Sequence, residues 1–214
     1  MTEHTTTATR PTMEDSRLRT YGAACAASGV LGVIAGLLTP VLYDSAVPSN
    51  QWSYPFSTTT QWVLSLGLAI MHVLSAMGFL GVLRARPYGE HRAAAATLRI
   101  AVAGFAILSI AELLSGAIGA QDVDSVSATW VGTLFGVASL MTALGGLVAG
   151  TVIVRTNRWT GTGAWMVLAS GVVMLVLVTP ANVTGNLAFR TVALTLWSLT
   201  FVPLGRTLTR SRVG

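Results

Sequence analysis

Charge is scarce along this chain, and lysine is missing from it. Only 10% of the 214 residues are charged, against roughly 25% in an ordinary soluble domain, while 52% are hydrophobic and the mean hydropathy is +0.66. That scarcity excludes a fully solvated surface and points to lipid as the surrounding medium. With no lysine, the chain holds no GxxxxGK[ST] phosphate loop. The single cysteine, Cys25, excludes an intramolecular disulfide and any CxxC redox or zinc chemistry. It is not a lipoprotein acylation site, because the apolar run follows it instead of preceding it, and it is expected as a small core residue. Of the three histidines, His4 and His91 fall in polar segments. One membrane histidine cannot form a bis-histidine haem site, and three convergent zinc ligands are lacking. The "ASG" at 169–171 is not a GxSxG nucleophile elbow. No metal and no cofactor are therefore expected. The pI of about 10.3 would suit nucleic acid, but a nucleic-acid reader gathers its basic residues on one face. Here they are spread over short loops, so no nucleic-acid partner is expected.

What the chain does have is long apolar runs. Six of them, at about residues 20–42, 61–83, 94–118, 128–154, 163–180 and 186–205, each approach the roughly 20 residues that cross a bilayer core. The first exceeds the 7–15-residue apolar stretch of a cleaved signal peptide, so it is expected to stay as a span. The reading is an all-α, polytopic transmembrane bundle of six helices. Residues 1–16, polar and Thr-rich, are expected as a disordered tail, residues 17–207 as the transmembrane domain and 208–214 as a second tail. Arg10, Arg17, Arg19, Arg84, Arg86, Arg92, Arg99, Arg155, Arg158, Arg206, Arg210 and Arg212 all fall on one side of that layout. The positive-inside rule makes it the cytoplasmic side of the cell membrane, with both termini inside.

The stretch "QWSYPFSTTTQW" at 51–62 then lies outside. Trp52, Tyr54, Phe56 and Trp62 are expected as an aromatic belt at headgroup level, stiffened by Pro55. The sharper alternative is a lid over an outward-facing pocket. Between helices in lipid, small residues mark the close approaches. Gly132, Gly136, Ser139, Ala143, Gly146 and Gly150 recur every three or four residues in span 4, and Cys25, Gly29, Gly32 and Gly36 do so in span 1. These are expected as packing seams, which places spans 1 and 4 centrally. "GVIAGLLTP" and "GVVMLVLVTP" echo one another at the ends of spans 1 and 5, too briefly to carry a transporter-type duplication.

Ionisable groups at membrane depth are costly and are functional candidates by default. His72, Glu112 and Arg190 qualify. Ser65, Ala69, His72, Ser75 and Ala76 share one small, polar face of span 2, closed by Phe79; Ser109, Glu112, Ser115, Gly116 and Gly119 share one of span 3. A Glu112–Arg190 ion pair latching spans 3 and 6 is the first expectation. His72 is placed roughly 9 Å from Glu112 in depth by helical rise, too far for a direct hydrogen bond unless a water or substrate bridges them. Catalytic candidates are Glu112 and His72; ligand-binding candidates are Glu112, Arg190, His72, Ser109, Ser115, Trp52 and Tyr54.

The segments "TPVLYD", "WSYPF", "HVLSAMGFLGVLRAR" and "AELLSG" resemble those of small six-span membrane proteins of unassigned function from actinobacteria. The likeness covers spans 1 to 3 and accords with the all-arginine, Ala- and Gly-rich composition of a high-GC genome. It implies the six-span fold and carries over no functional residue. Three functions stay open. One is a non-enzymatic protein that binds or passes a small apolar or protonatable molecule through an outward-opening pocket. A second is a cyclase-like membrane enzyme using Glu112 as general acid on a lipid-like substrate. The third is an accessory subunit docking a membrane partner protein.

Overall fold

The computed structural model describes residues 12–159 and 161–211. Among them the structure is helical, and six segments are long and apolar enough to cross a membrane. The helices are α1 (Met13–Leu38), α2 (Thr58–Ala85), α3 (Arg92–Ala117), α4 (Val126–Thr156), α5 (Thr162–Val173), α6 (Thr179–Thr184), α7 (Leu187–Leu199) and α8 (Phe201–Arg210), with a π-helical turn at Met174–Val178 between α5 and α6. The fifth span is Thr162–Thr184 and the sixth Leu187–Arg210. The protein is a multi-pass integral membrane protein in contact with the lipid bilayer.

Polar caps set the helix starts, and they lengthen the spans beyond their apolar runs. Thr12 accepts from the Asp15 amide while the Asp15 carboxylate accepts from the Thr12 amide, a reciprocal capping box that satisfies two orphan donors. The helix therefore begins at Met13, a correction to the tail expected through residue 16; residues 1–11 lie outside the described ones. At the other end α8 runs to Arg210 and not to 207. Ser57, Ser125 and Asn186 cap α2, α4 and α7 through their side-chain oxygens.

Proline accounts for the two irregular spans. A proline ring lacks an N–H and presses on the carbonyl four residues back. Pro180 does so in the fifth span, where the ladder loosens into a π turn and the Met174 carbonyl takes both the Thr179 amide and its hydroxyl, the latter at 2.9 Å. The helix then continues to Thr184, so "VLVTP" loosens the span into a π turn where the similar "LLTP" of α1 ends it at Thr39. Pro203 likewise faces the Leu199 carbonyl, and the last span breaks at Thr200 between α7 and α8.

Consecutive spans pack side by side, and the last returns against the first, so the bundle closes as a ring. Spans 1 and 4 take ordinary places in that ring and are not central, which corrects the expectation from their glycines. The centre is aromatic: Phe79 of α2, Phe105 of α3, Trp197 of α7 and Phe201 of α8 meet at ring-centroid distances of 5.0–6.5 Å. Lipid gives such rings little hydrophobic reason to meet, so their contact rests on dispersion and ring geometry, about 0.5–1.5 kcal/mol per pair. The glycine seams do their work around this centre. A Cβ at Gly146 would lie 2.8 Å from the Gly171 Cα, and one at Gly29 would lie 2.8 Å from the Ser198 carbonyl oxygen. Gly32, Gly36 and Gly150 also face neighbouring helices closely, and Ser139 and Ala143 are buried. Gly132 and Gly136 are the exception: nothing lies within 4 Å of a Cβ there. They face outward on α4, a correction to their assignment as packing positions; the spacing ran true along the helix, but the neighbouring spans cover only its other half.

Candidate functional site

The two candidate residues that the sequence set apart come together. His72 Nε2 lies 3.6 Å from Glu112 Oε1, and the residues are only 5% and 8% exposed. The axial offset of roughly 9 Å expected from helical rise does not keep the side chains apart, for a geometric reason. Helical Cα–Cβ bonds tilt toward the N-terminus of their own helix. Because α2 and α3 are antiparallel, His72 leans toward the loop end of the bundle while Glu112 leans toward the terminal end, so their tips converge across the axial offset. Ser109 fixes the register beneath them, donating from its hydroxyl to the Ala69 carbonyl at 3.0 Å.

The imidazole is otherwise walled by rings. Trp197 and Phe105 lie 5.9 and 6.4 Å from it, centroid to centroid. Its Nδ1 is buried with no hydrogen-bond partner, and leaving such an atom unsatisfied costs roughly 1–3 kcal/mol. The pair can hold one proton in either of two arrangements, neutral imidazole with carboxylic acid or imidazolium with carboxylate, and both are neutral overall. Loss of that proton leaves one negative charge. Arg190, half-buried one turn into α7, lies within Coulombic reach of Glu112. Its guanidinium forms no ion pair with Glu112 within 4 Å, so the expected Glu112–Arg190 latch is replaced by the His72–Glu112 pair.

Above the pair the loop end is plugged by a polar layer. The indole of Trp52 donates to Ser115 Oγ at 2.9 Å, and the Gln61 amide donates to the same oxygen at 3.0 Å and to Ser65 at 3.3 Å. Trp52 is held there by its backbone, whose amide donates to the Gln121 carbonyl at 2.8 Å; the Ser53 amide donates to the Gly119 carbonyl and Asn50 to Asp122. Phe56 is buried, at 2% exposed, just beyond the cis Tyr54–Pro55 peptide. Trp52 and Phe56 thus turn into the bundle and are not belt residues, because the loop is stitched to the α3–α4 connection. Tyr54 and Trp62 face outward; the Tyr54 hydroxyl shares a 3.2 Å hydrogen bond with Tyr43. The expected outward-opening pocket is closed in this arrangement.

A shallow groove of about 270 Å³ lies elsewhere, on the membrane-facing seam between α2 and α3, lined by Leu66, Ala69, Ile70, Val73, Leu74, Ser109 and Leu113. Neither member of the pair lines it. Among the described residues no group of three or more His, Cys, Asp or Glu side chains could hold a metal. Cys25 is fully buried, its Sγ donating to the Phe201 carbonyl and packing close to Gly78. Sequence reasoning missed Gln61, Phe105 and Trp197. Gln61 stands one helical turn before Ser65, and that i, i+4 polar pairing at the start of an apolar run was the available signal; the two rings carried none beyond their depth. Compared with known protein families, with curated proteins and with solved structures, the chain matches none.

Proposed function

We propose that this integral membrane protein binds or passes protons, or a small protonatable molecule, at the His72–Glu112 pair, and that it is not an enzyme. The observation that carries the reading is the pair itself, buried at 3.6 Å with one imidazole nitrogen unsatisfied. Ionisable side chains at this depth pair with one another where they serve proton relays. Holding a proton needs no cavity, which accords with the rings that pack around His72. The arginine-rich end carrying the termini is assigned to the cytoplasm of a cell membrane by the positive-inside rule, so the Trp52 plug faces outward.

Infrared difference spectroscopy of the full-length protein in detergent, stepped between about pH 4 and pH 9 to cover the carboxylate and imidazole ranges, tests this. The expected result is a protonation-linked carboxyl band that disappears in Glu112→Gln and moves in His72→Gln. A spectrum in which neither variant changes any protonation-linked band overturns the reading.

The outward face of α4 favours a second reading, docking of a membrane partner protein, since Gly132 and Gly136 stand open between Val126 and Trp130, 74% and 67% exposed, and the lipid-facing Val137 and Leu140. Cross-linking in native membranes through a cysteine placed at Thr133 would trap a discrete partner under that reading, and only monomer without it.

A further inference from the structure

We infer that the molecule served by the His72–Glu112 pair reaches it sideways from the bilayer, through the α2–α3 seam, and is a lipophilic weak acid with one protonatable head on an apolar tail. The inference rests on the proposed proton-binding role of the pair and adds the route and the ligand class. Four residues carry it. Ala69 and Val73 stand three before and one after His72; Ser109 and Leu113 stand three before and one after Glu112. All four line the groove. The groove therefore borders the same two helical turns that carry the pair, and two of its smallest lining residues, Ala69 and Ser109, are joined by the hydrogen bond from the Ser109 hydroxyl to the Ala69 carbonyl.

The other way in is better closed. At the loop end a molecule would have to displace Trp52, Gln61 and their shared acceptor Ser115, together with the backbone hydrogen bonds that hold Trp52 and Ser53 to the α3–α4 connection. The groove opens at mid-span among Leu66, Ile70 and Val73, each about half exposed, where the surroundings are lipid and only a bilayer-soluble molecule is present to enter. Its lining is apolar apart from Ser109, which suits a hydrocarbon tail. Behind it wait a carboxyl group and, on His72, a buried nitrogen without a partner, the two groups a single protonatable head would engage.

Photolabelling tests the route. Full-length protein in lipid nanodiscs is exposed to a diazirine-bearing long-chain fatty acid and, in parallel, to its methyl ester, and the labelled peptides are mapped by mass spectrometry. The expected result is several-fold more labelling of residues 66–74 and 109–113 by the acid than by the ester. Glu112→Gln is expected to abolish that preference, and Val73→Trp, which fills the groove from the lipid side without touching the interior, to abolish labelling there while leaving the thermal midpoint unchanged. Equal labelling by acid and ester, or labels concentrated on other helices, makes the groove ordinary lipid-contact surface and overturns the inference. The infrared measurement uses no probe, so the two failures separate: a pair that titrates beside a groove without acid preference sinks the route alone, whereas a pair that does not titrate sinks the reading beneath it.

Discussion

The two ends of this bundle are built from different material. Toward the termini the interior is apolar and close: Leu98, Val82, Ile153, Leu204 and Leu208 are fully buried around Phe79, Phe105 and Phe201, and α4 and α5 touch backbone to backbone at Gly146 and Gly171. Toward the loops it is polar and incompletely satisfied, with Ser53, Ser65 and Ser115 buried near the His72–Glu112 pair and an imidazole nitrogen left over. Both ends face the same lipid. Since lipid rewards close approach and penalises buried polarity, the terminal half is where the fold is held, and the loop half carries polar groups that folding alone does not require.

The largest effects should follow from spoiling the close half. Gly146→Leu drives a side chain into the α5 backbone, and Gly29→Leu drives one into α7 and α8, so each should reach or exceed the upper end of the roughly 1–3 kcal/mol seen for overpacking and abolish accumulation of folded protein. Gly132→Leu, with open space around it, should stay within about 0.5 kcal/mol of the parent. Folded yield and thermal midpoint in detergent measure all three. A Gly132→Leu as damaging as Gly146→Leu would mean that the open face is covered by another molecule. Next, Phe105→Ala should cost about 3–5 kcal/mol by emptying the aromatic centre.

The pair should behave in the opposite way to the core. Replacing His72 or Glu112 alone by Leu leaves the other group buried and unpaired, a loss of roughly 1–3 kcal/mol. Replacing both by Leu should recover most of that loss, because an apolar pair of similar volume is often no less stable than a buried ionic one. A double variant whose loss equals the sum of the two singles would show that the 3.6 Å contact carries no coupling, and the contrast between the two ends would fail at its most informative point.

Six spans were legible because apolar runs of bilayer length alternate with arginine-bearing loops, and nothing but a membrane makes that pattern useful. Helix ends were less so, since caps such as Thr12 with Asp15 extend a helix into polar sequence. The site residues His72 and Glu112 stood out by charge at depth. Their contact did not, because axial rise locates Cα atoms and omits the opposite lean of side chains on antiparallel helices. The glycine ladder of α4 was legible as a small face, but which part of it a neighbour covers is decided by the crossing of helices, information that periodicity along one helix does not contain. Trp52 was misplaced for a related reason: an aromatic next to a span is equally at home in a headgroup belt or a plug, and the hydrogen bonds that choose come from a loop some 65 residues later.

The smallest expected effect sharpens the contrast at the outer rim of the loop end. Tyr43 and Tyr54 stand edge to face at 6.4 Å with their hydroxyls hydrogen-bonded. That hydrogen bond, followed by the repulsion between two phenolates, raises the ionisation of Tyr43 above its ordinary value. A raised folded-state value means that the folded protein keeps its proton more firmly than the unfolded chain, so the contribution is present below the usual tyrosine range and is lost as pH rises through it. Alkaline difference absorbance should therefore show a late-ionising tyrosine that moves earlier in Tyr54→Phe, with no change in the infrared signature of Glu112. If Tyr54→Phe also shifted that signature, the rim and the buried pair would be coupled through the loop, and Trp52 would be a moving closure instead of a fixed plug.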